Sequence, residues 1–203
     1  MIKKYFDNTR KPKDSIAGRM MLKGMNKGHA PNFNWGVQFL PIPEDGKILD
    51  IGCGGGKNIS EILKLTKGKV MGIDYSIASV KMSQKVNRKA IEEGRCEIIQ
   101  GDVSDLPFKE EFNLITAFET IYFWPDIVNS FRQVYQALQK DGVFFICNED
   151  GETKEVEKWK KLIDMNTYTR KEIRNIMEEA GFVEIEDYIH ENKKRMVVLG
   201  KKK

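Results

Sequence analysis

Three carboxylates and a cluster of glycines are the residues whose types and spacing could do chemistry in this chain. Asp50 stands two residues before Gly52, and in the run Gly52 to Gly56 only Cys53 interrupts the glycines. Glycine accepts positive φ and lets a ligand approach the main chain without a Cβ in the way. The amides that open a following helix then face that ligand. Asp74 comes about 20 residues later, the spacing at which an acid accepts bonds from ribose hydroxyls. Asp102 ends a further apolar run. A phosphate-binding P-loop ending at Gly56-Lys57 would need Gly at Ile51 and Ser or Thr at Asn58, and it fails at both. A dinucleotide fingerprint would need a third small residue at Lys57 or at Ile59, depending on register, and fails in each. A pyrophosphate would be repelled by Asp50, whereas an ammonium or sulfonium would be attracted. The ligand expected is a nucleoside with cationic groups.

Strands and helices that alternate from Lys47 onward must position these groups, a pattern that implies a parallel sheet covered on both faces. The opening strand (Ile48, Leu49, Ile51) leads through the glycine turn into a helix from Asn58 to Lys67. Further strands are expected at Lys69 to Asp74, Cys96 to Gln100, Phe112 to Phe118 and Val143 to Cys147, with a helix from Ser76 to Glu93. Pro125 suits the first position of a helix whose apolar stripe is Ile127, Phe131, Val134, Tyr135 and Leu138, and Asp141-Gly142 stops it. The charged stretch Thr153 to Asp164 reads as an exposed helix. Thr169 with Glu172 forms a capping-box pattern, and Gly181 ends that helix. The last two strands, Phe182 to Tyr188 and Arg195 to Leu199, have too short a link for a parallel crossover, so they form an antiparallel hairpin at a sheet edge. Asp50, Asp74 and Asp102 all reach the carboxyl edge of such a sheet, where ligands sit.

The 203 residues suit one domain, residues 41–203, with an N-terminal appendage over 1–40. In that appendage Ala17 to Met25 can form a short helix with an apolar side, followed by a loop from Asn26 to Asn34. Trp35, Val37, Phe39 and Leu40 then supply core contacts or a lid over a ligand. A net charge of +4 names no partner, although residues 1–30 hold eight Lys/Arg against Asp7 and Asp14. No aromatics interleave with the terminal lysines, so nucleic acid is not implied. The start lacks the apolar segment of a leader, and no window approaches a membrane span. Cys53, Cys96 and Cys147 are far apart in apolar settings, as expected of reduced thiols in a cytoplasm, and no Cys/His/acid cluster has metal-ligand spacing. The sequence carries no signal for an oligomeric state.

Four segments in order carry a resemblance: Leu49-Asp-Ile-Gly-Cys-Gly-Gly-Gly, Gly72-Ile-Asp-Tyr-Ser, Gln100-Gly-Asp-Val-Ser-Asp-Leu-Pro-Phe and the strand Phe112 to Glu119. Together they resemble the class I S-adenosylmethionine-dependent methyltransferases, in the subgroup that includes ubiquinone and menaquinone biosynthesis enzymes. The likeness covers roughly Lys47 to Glu149. It implies a Rossmann-like, doubly wound α/β sheet of seven strands in the order 3-2-1-4-5-7-6, with the last hairpin strand antiparallel. It also implies S-adenosyl-L-methionine as cofactor and S-adenosyl-L-homocysteine as product. Asp50, Gly52, Gly54 and Gly56 would line the methionine portion, and Asp74 would hold the ribose hydroxyls. Tyr75 would flank the adenine, Asp102 would accept a bond from its amino group, and the Val103 amide would reach the ring. Cys53 and Ser76, inside these motifs, would belong to the same surface, Cys53 as a small packed residue rather than a nucleophile. Phe118 and Glu119 would lie beside the reactive methyl.

Methyl transfer from a sulfonium is a direct displacement, so the protein mainly aligns the partners and excludes water. Where the acceptor is a hydroxyl or an ammonium a base helps, and the candidates are His29, Glu119 and Tyr122. Tyr122, Phe123 and Trp124 follow the fourth strand and could wall an apolar or planar acceptor, with Trp35 from the N-terminal appendage. Phe118-Glu-Thr-Ile stands where amino-directed nucleic-acid methyltransferases carry an Asn/Asp-Pro-Pro-Tyr motif, and no Pro-Cys pair supplies a thiol. A small-molecule acceptor is therefore expected. The alternatives are RNA or protein methylation through the basic first 30 residues and a non-catalytic cofactor-binding module.

Overall fold

The computed structural model describes residues 12, 14–15, 18, 20–22, 24, 28, 30–149, 160 and 163–203. The element order is α1 (Ala30–Gly36), β1 (Lys47–Ile51), α2 (Lys57–Ile62), β2 (Lys69–Asp74), α3 (Ile77–Val86), α4 (Arg88–Glu92), β3 (Cys96–Gln100) and β4 (Phe112–Phe118). It continues with α5 (Ile127–Ala137), β5 (Leu138–Glu149), α6 (Arg170–Ala180), β6 (Val183–Ile189) and β7 (Arg195–Lys201). The seven strands form one sheet in the order β3-β2-β1-β4-β5-β7-β6. β1 to β5 run parallel, and β7 is antiparallel to both β5 and β6.

Successive side chains of a strand point to opposite faces, and here both faces are apolar. Leu49, Ile115 and Phe144 meet Phe131 and Val134 of α5 and Ile173 and Met177 of α6 on one face. Ile48, Leu114 and Phe145 meet Ile59 and Ile62 of α2 on the other, where Phe33 and Leu40 join the same cluster. The N-terminal segment thus reaches the core through α1 and the residues after it. That helix occupies part of the stretch expected to be a loop, with Pro31 in its first turn where a missing amide costs nothing.

Other departures have local causes. The helix expected over Ser76 to Glu93 is broken at Asn87, whose side-chain amide donates to the carbonyls of Gly56 and Ser83, both at 3.0 Å. α2 is shorter than expected and gives way to turns after Ile62. α5 starts at Ile127, two residues after the expected first position at Pro125, because Asp126 is the cap, its side chain accepting from the Asn129 amide at 3.3 Å. α5 ends at Ala137, ahead of Asp141-Gly142, because Leu138 is already extended and pairs with Phe112. The Thr169/Glu172 capping box is complete, and Gly181 caps α6 with φ 102°. Of the charged stretch Thr153 to Asp164, only Lys160, Ile163 and Asp164 are described, and Met25 and His29 also lie outside the described residues. Among the described residues no helix is long and apolar enough to cross a membrane.

Candidate functional site

The glycine turn is built to bring backbone to the sheet edge. Gly52, Gly54 and Gly56 have φ of 72°, 52° and 78°. The Gly52 and Cys53 amides donate to the Ile73 carbonyl at 2.8 and 3.2 Å, tying the end of β1 to the end of β2. A Cβ on Gly52 would collide with Thr120 Oγ1, and one on Gly56 with Ser83 and Asn87. A Cβ on Gly54 would meet nothing nearer than the Gly52 carbonyl at 4.0 Å, so Gly54 leaves open space on its ligand side. Asp74 secures the turn from β2: Oδ2 accepts from the Gly54 amide at 2.9 Å and Oδ1 from the Ser76 amide at 2.8 Å. Ser76 caps α3, and its hydroxyl donates to the Pro12 carbonyl at 2.8 Å.

A cavity of about 180 Å³ opens at the carboxyl edge beside this turn. Gly52, Cys53, Gly54, Asp74, Tyr75, Asp102, Val103, Phe118, Glu119, Phe123 and Trp124 all line it, so most of the residues singled out in the sequence converge on one cavity. Asp102 accepts from the Ser104 amide and hydroxyl through Oδ1, at 2.9 and 2.8 Å, and so caps the turn Val103–Asp105 as well as facing the cavity.

Five of the expected site residues stand off the cavity wall. Asp50 is buried under the turn, where Thr116 donates its hydroxyl at 2.8 Å; burial first, and the charge of Asp74 in addition, push its carboxyl up to about 7. Gly56 packs against α3, and Ser76 acts as that helix's cap. Trp35 lies against Phe39 and His190 at ring distances of 5.3 and 5.4 Å. Tyr122 is buried behind Glu119: its hydroxyl accepts from the Glu149 amide at 2.7 Å and donates to Glu119 Oε2 at 3.1 Å. Burial also raises its phenol well above the ordinary range, so it is a proton donor here, not a base.

Glu119 lines the same cavity, next to Thr120, whose hydroxyl stands against Gly52 of the turn. It adopts φ 56°, a left-handed backbone held by two bonds from its amide, to the Cys147 carbonyl at 3.0 Å and to Asn148 Oδ1 at 3.1 Å. Oε1 accepts from Asn32 Nδ2 at 2.6 Å. Burial, then the nearby charge of Glu149, push the carboxyl up to about 8. Asn32 of α1 was not among the expected site residues, and neither were Pro12 and Leu22, which also line the cavity. The spacing rules that located Asp74 and Asp102 cannot find them, because their positions depend on how the N-terminal segment packs.

The chemistry of this lining suits a cationic nucleoside: the carboxyl groups of Asp74, Asp102 and Glu119, open space over Gly54, and the aromatic rings of Tyr75, Phe118, Phe123 and Trp124. Comparison with known proteins agrees. Residues 42–181 match the family described as Methyltransferase domain. A Bacillus subtilis protein bearing the name methyltransferase YrhH is 36% identical over 124 residues, covering 60% of this chain and 67% of that protein. Cycloartenol-C-24-methyltransferase 1 of Oryza sativa subsp. japonica is 29% identical over 101 residues, covering 49% of this chain but only 29% of the relative. Among solved structures, the methyltransferase bound to the Haloferax volcanii Trm112 methyltransferase activator superposes with a TM-score of 0.80 at 18% identity, covering 89% of this chain and 92% of that one. The chain belongs to the methyltransferase domain family and is a class I S-adenosylmethionine-dependent methyltransferase.

Proposed function

We propose that the cavity is the methyl-transfer chamber and that its acceptor is a small molecule. The supporting observation is that the glycine turn, Asp74, Asp102 and Glu119 line one cavity. In this reading the Gly52 to Gly56 turn, with Cys53 as a small side chain and Asp50 beneath, cradles the methionine portion of the cofactor. Asp74 meets the ribose hydroxyls, and Tyr75, Asp102 and Val103 frame the adenine. Phe118 and Glu119 then stand at the reactive end, with Phe123 and Trp124 on the acceptor side. S-adenosylmethionine supplies an electrophilic methyl carried on a sulfonium. The chain's own work is to bind, align and keep water out, for which in-line positioning is worth several orders of magnitude.

A small acceptor is favoured because Pro12 and Leu22 of the N-terminal segment join the cavity's lining and narrow the space left for the acceptor. Pro12 and Leu22 serve as part of the cavity's cover, with α1, packed in the core through Phe33, as the base of that cover. Incubating the protein with a methyl-labelled donor and separated small-molecule, RNA and protein fractions from cells tests this reading. Label is expected in the small-molecule fraction; label in RNA or protein alone would overturn it.

A further inference from the structure

Among the described residues, no positive charge acts on Glu119. Of those that line the cavity, Lys57 is the one basic side chain, and it belongs to α2 beside the glycine turn. The groups acting on Glu119 are Glu149 from the end of β5, Asn32 from α1 and Tyr122 from the turn after β4, with no cation among them. The Cys147 thiol on β5 is also near and feels the Glu119 charge; it donates to the Asn32 carbonyl at 3.5 Å. Glu119 is therefore a carboxyl group held by two neutral donors in a cavity that Phe118, Phe123 and Trp124 also line. An anionic acceptor would be repelled there. An organic ammonium would instead favour the ionised form of Glu119 and gain both the charge pair and the faces of the rings, which a neutral acceptor cannot.

Resting on the reading of the cavity as the methyl-transfer chamber, we propose that its acceptor is an amine that enters as its ammonium, with Glu119 as the proton acceptor and Asn32 and Tyr122 as positioning residues. The ammonium gives one proton to a Glu119 oxygen. The freed nitrogen lone pair forms the N–C bond to the methyl as the C–S bond breaks, and that electron pair stays on sulfur. The N-methylated ammonium and neutral S-adenosylhomocysteine leave, and Glu119 returns its proton to solvent. Moving the proton neutralises two desolvated charges at once, which makes the transfer easier in a buried site than in water. The lifted proton affinity of Glu119, about 8, lies closer to that of an alkylammonium than an ordinary carboxylate does. Asn32 and Tyr122 aim the carboxylate by holding one oxygen each.

The test uses the full chain loaded with S-adenosylhomocysteine and three probes of matched shape, phenethylamine, phenethyl alcohol and phenylacetate, titrated calorimetrically. The amine is expected to bind about tenfold or more tighter than the alcohol, with the acid weakest. That preference is expected to vanish in Glu119→Gln while the S-adenosylhomocysteine affinity stays within about threefold. Equal or better binding of the alcohol or the acid, no binding of any probe, or a preference that survives Glu119→Gln overturns the amine assignment. Where Glu119→Gln does not fold, Asn32→Ala decides. Loss of a donor to the carboxylate must move the pH midpoint of amine binding upward, and an unmoved midpoint overturns the proposal. Failure of S-adenosylhomocysteine to bind the unaltered protein sinks the chamber reading instead, so the two failures are distinguishable.

Discussion

The Asp74 carboxylate and the Gly54 amide are joined by a 2.9 Å hydrogen bond that spans the ends of β2 and β1. One acid therefore fixes the glycine turn and faces the cavity at the same time. The three positive-φ glycines of that turn do different jobs, and alanine at each should separate them. Gly52→Ala and Gly56→Ala drive a methyl into Thr120 or into Ser83 and Asn87, so both are expected to lower the melting temperature strongly. Gly54→Ala carries only the left-handed backbone penalty, roughly 1–2 kcal/mol, and should fold. Its methyl would stand where the cofactor is placed, so S-adenosylhomocysteine binding should fall at least tenfold. Thermal melts with and without ligand check this, and unimpaired binding in Gly54→Ala would contradict the cradle.

Asp50 should make stability depend on pH. Its carboxyl sits near 7 in the folded protein against an ordinary 3.8, so the folded state holds the proton more tightly than the unfolded chain does. The sign follows: the penalty is absent below the unfolded value, grows as pH rises between the two values, and is complete above the folded one. Asp50→Asn keeps an acceptor for the Thr116 hydroxyl and removes the charge. Its unfolding free energy should gain on that of the unaltered protein as pH rises from about 4 to about 7, by a few kcal/mol at most, and its melting temperature should rise with it. A constant difference across that range would show that Asp50 does not titrate as its burial implies.

Thr169 provides a control outside the cavity's lining. Its hydroxyl accepts from the Glu172 amide at 3.2 Å in the capping box of α6. Thr169→Ala should cost about 1 kcal/mol of stability and leave S-adenosylhomocysteine affinity unchanged. A change in that affinity, measured by calorimetry, would mean that α6 communicates with the site.

The N-terminal segment should respond to ligand. Pro12 and Leu22 line the cavity, Ser76 holds the Pro12 carbonyl, and Asp14 pairs with Lys81 at 2.6 Å. Limited proteolysis is expected to cut N-terminal to Ala30 more slowly when S-adenosylhomocysteine is present. Equal cleavage rates would remove the cover from the functional reading.

What the sequence made legible was whatever depends on short-range pattern. The bounds of β2, β3 and β4 follow from apolar runs closed by turn residues, and Asp74 and Asp102 reach the edge because strands end there. The Thr169 capping box is equally local. The break at Asn87 was hidden because it needs a carbonyl 31 residues away, at Gly56. Asn32 was hidden for the same reason, since its bond to Glu119 spans 87 positions. The aromatic run after β4 was split by packing: Phe123 and Trp124 reach the cavity, while Tyr122 turns inward because its hydroxyl bonds the Glu149 amide.

The most direct measurement of the central claim is calorimetric titration of S-adenosylhomocysteine into the unaltered protein and into Asp74→Ala. One site per chain is expected, weakened at least tenfold in Asp74→Ala through loss of the ribose contacts and of the tie to Gly54, charge-assisted bonds worth about 1.5–3 kcal/mol each. No heat from the unaltered protein at high micromolar ligand, or equal affinity in Asp74→Ala, would contradict the assignment of this cavity.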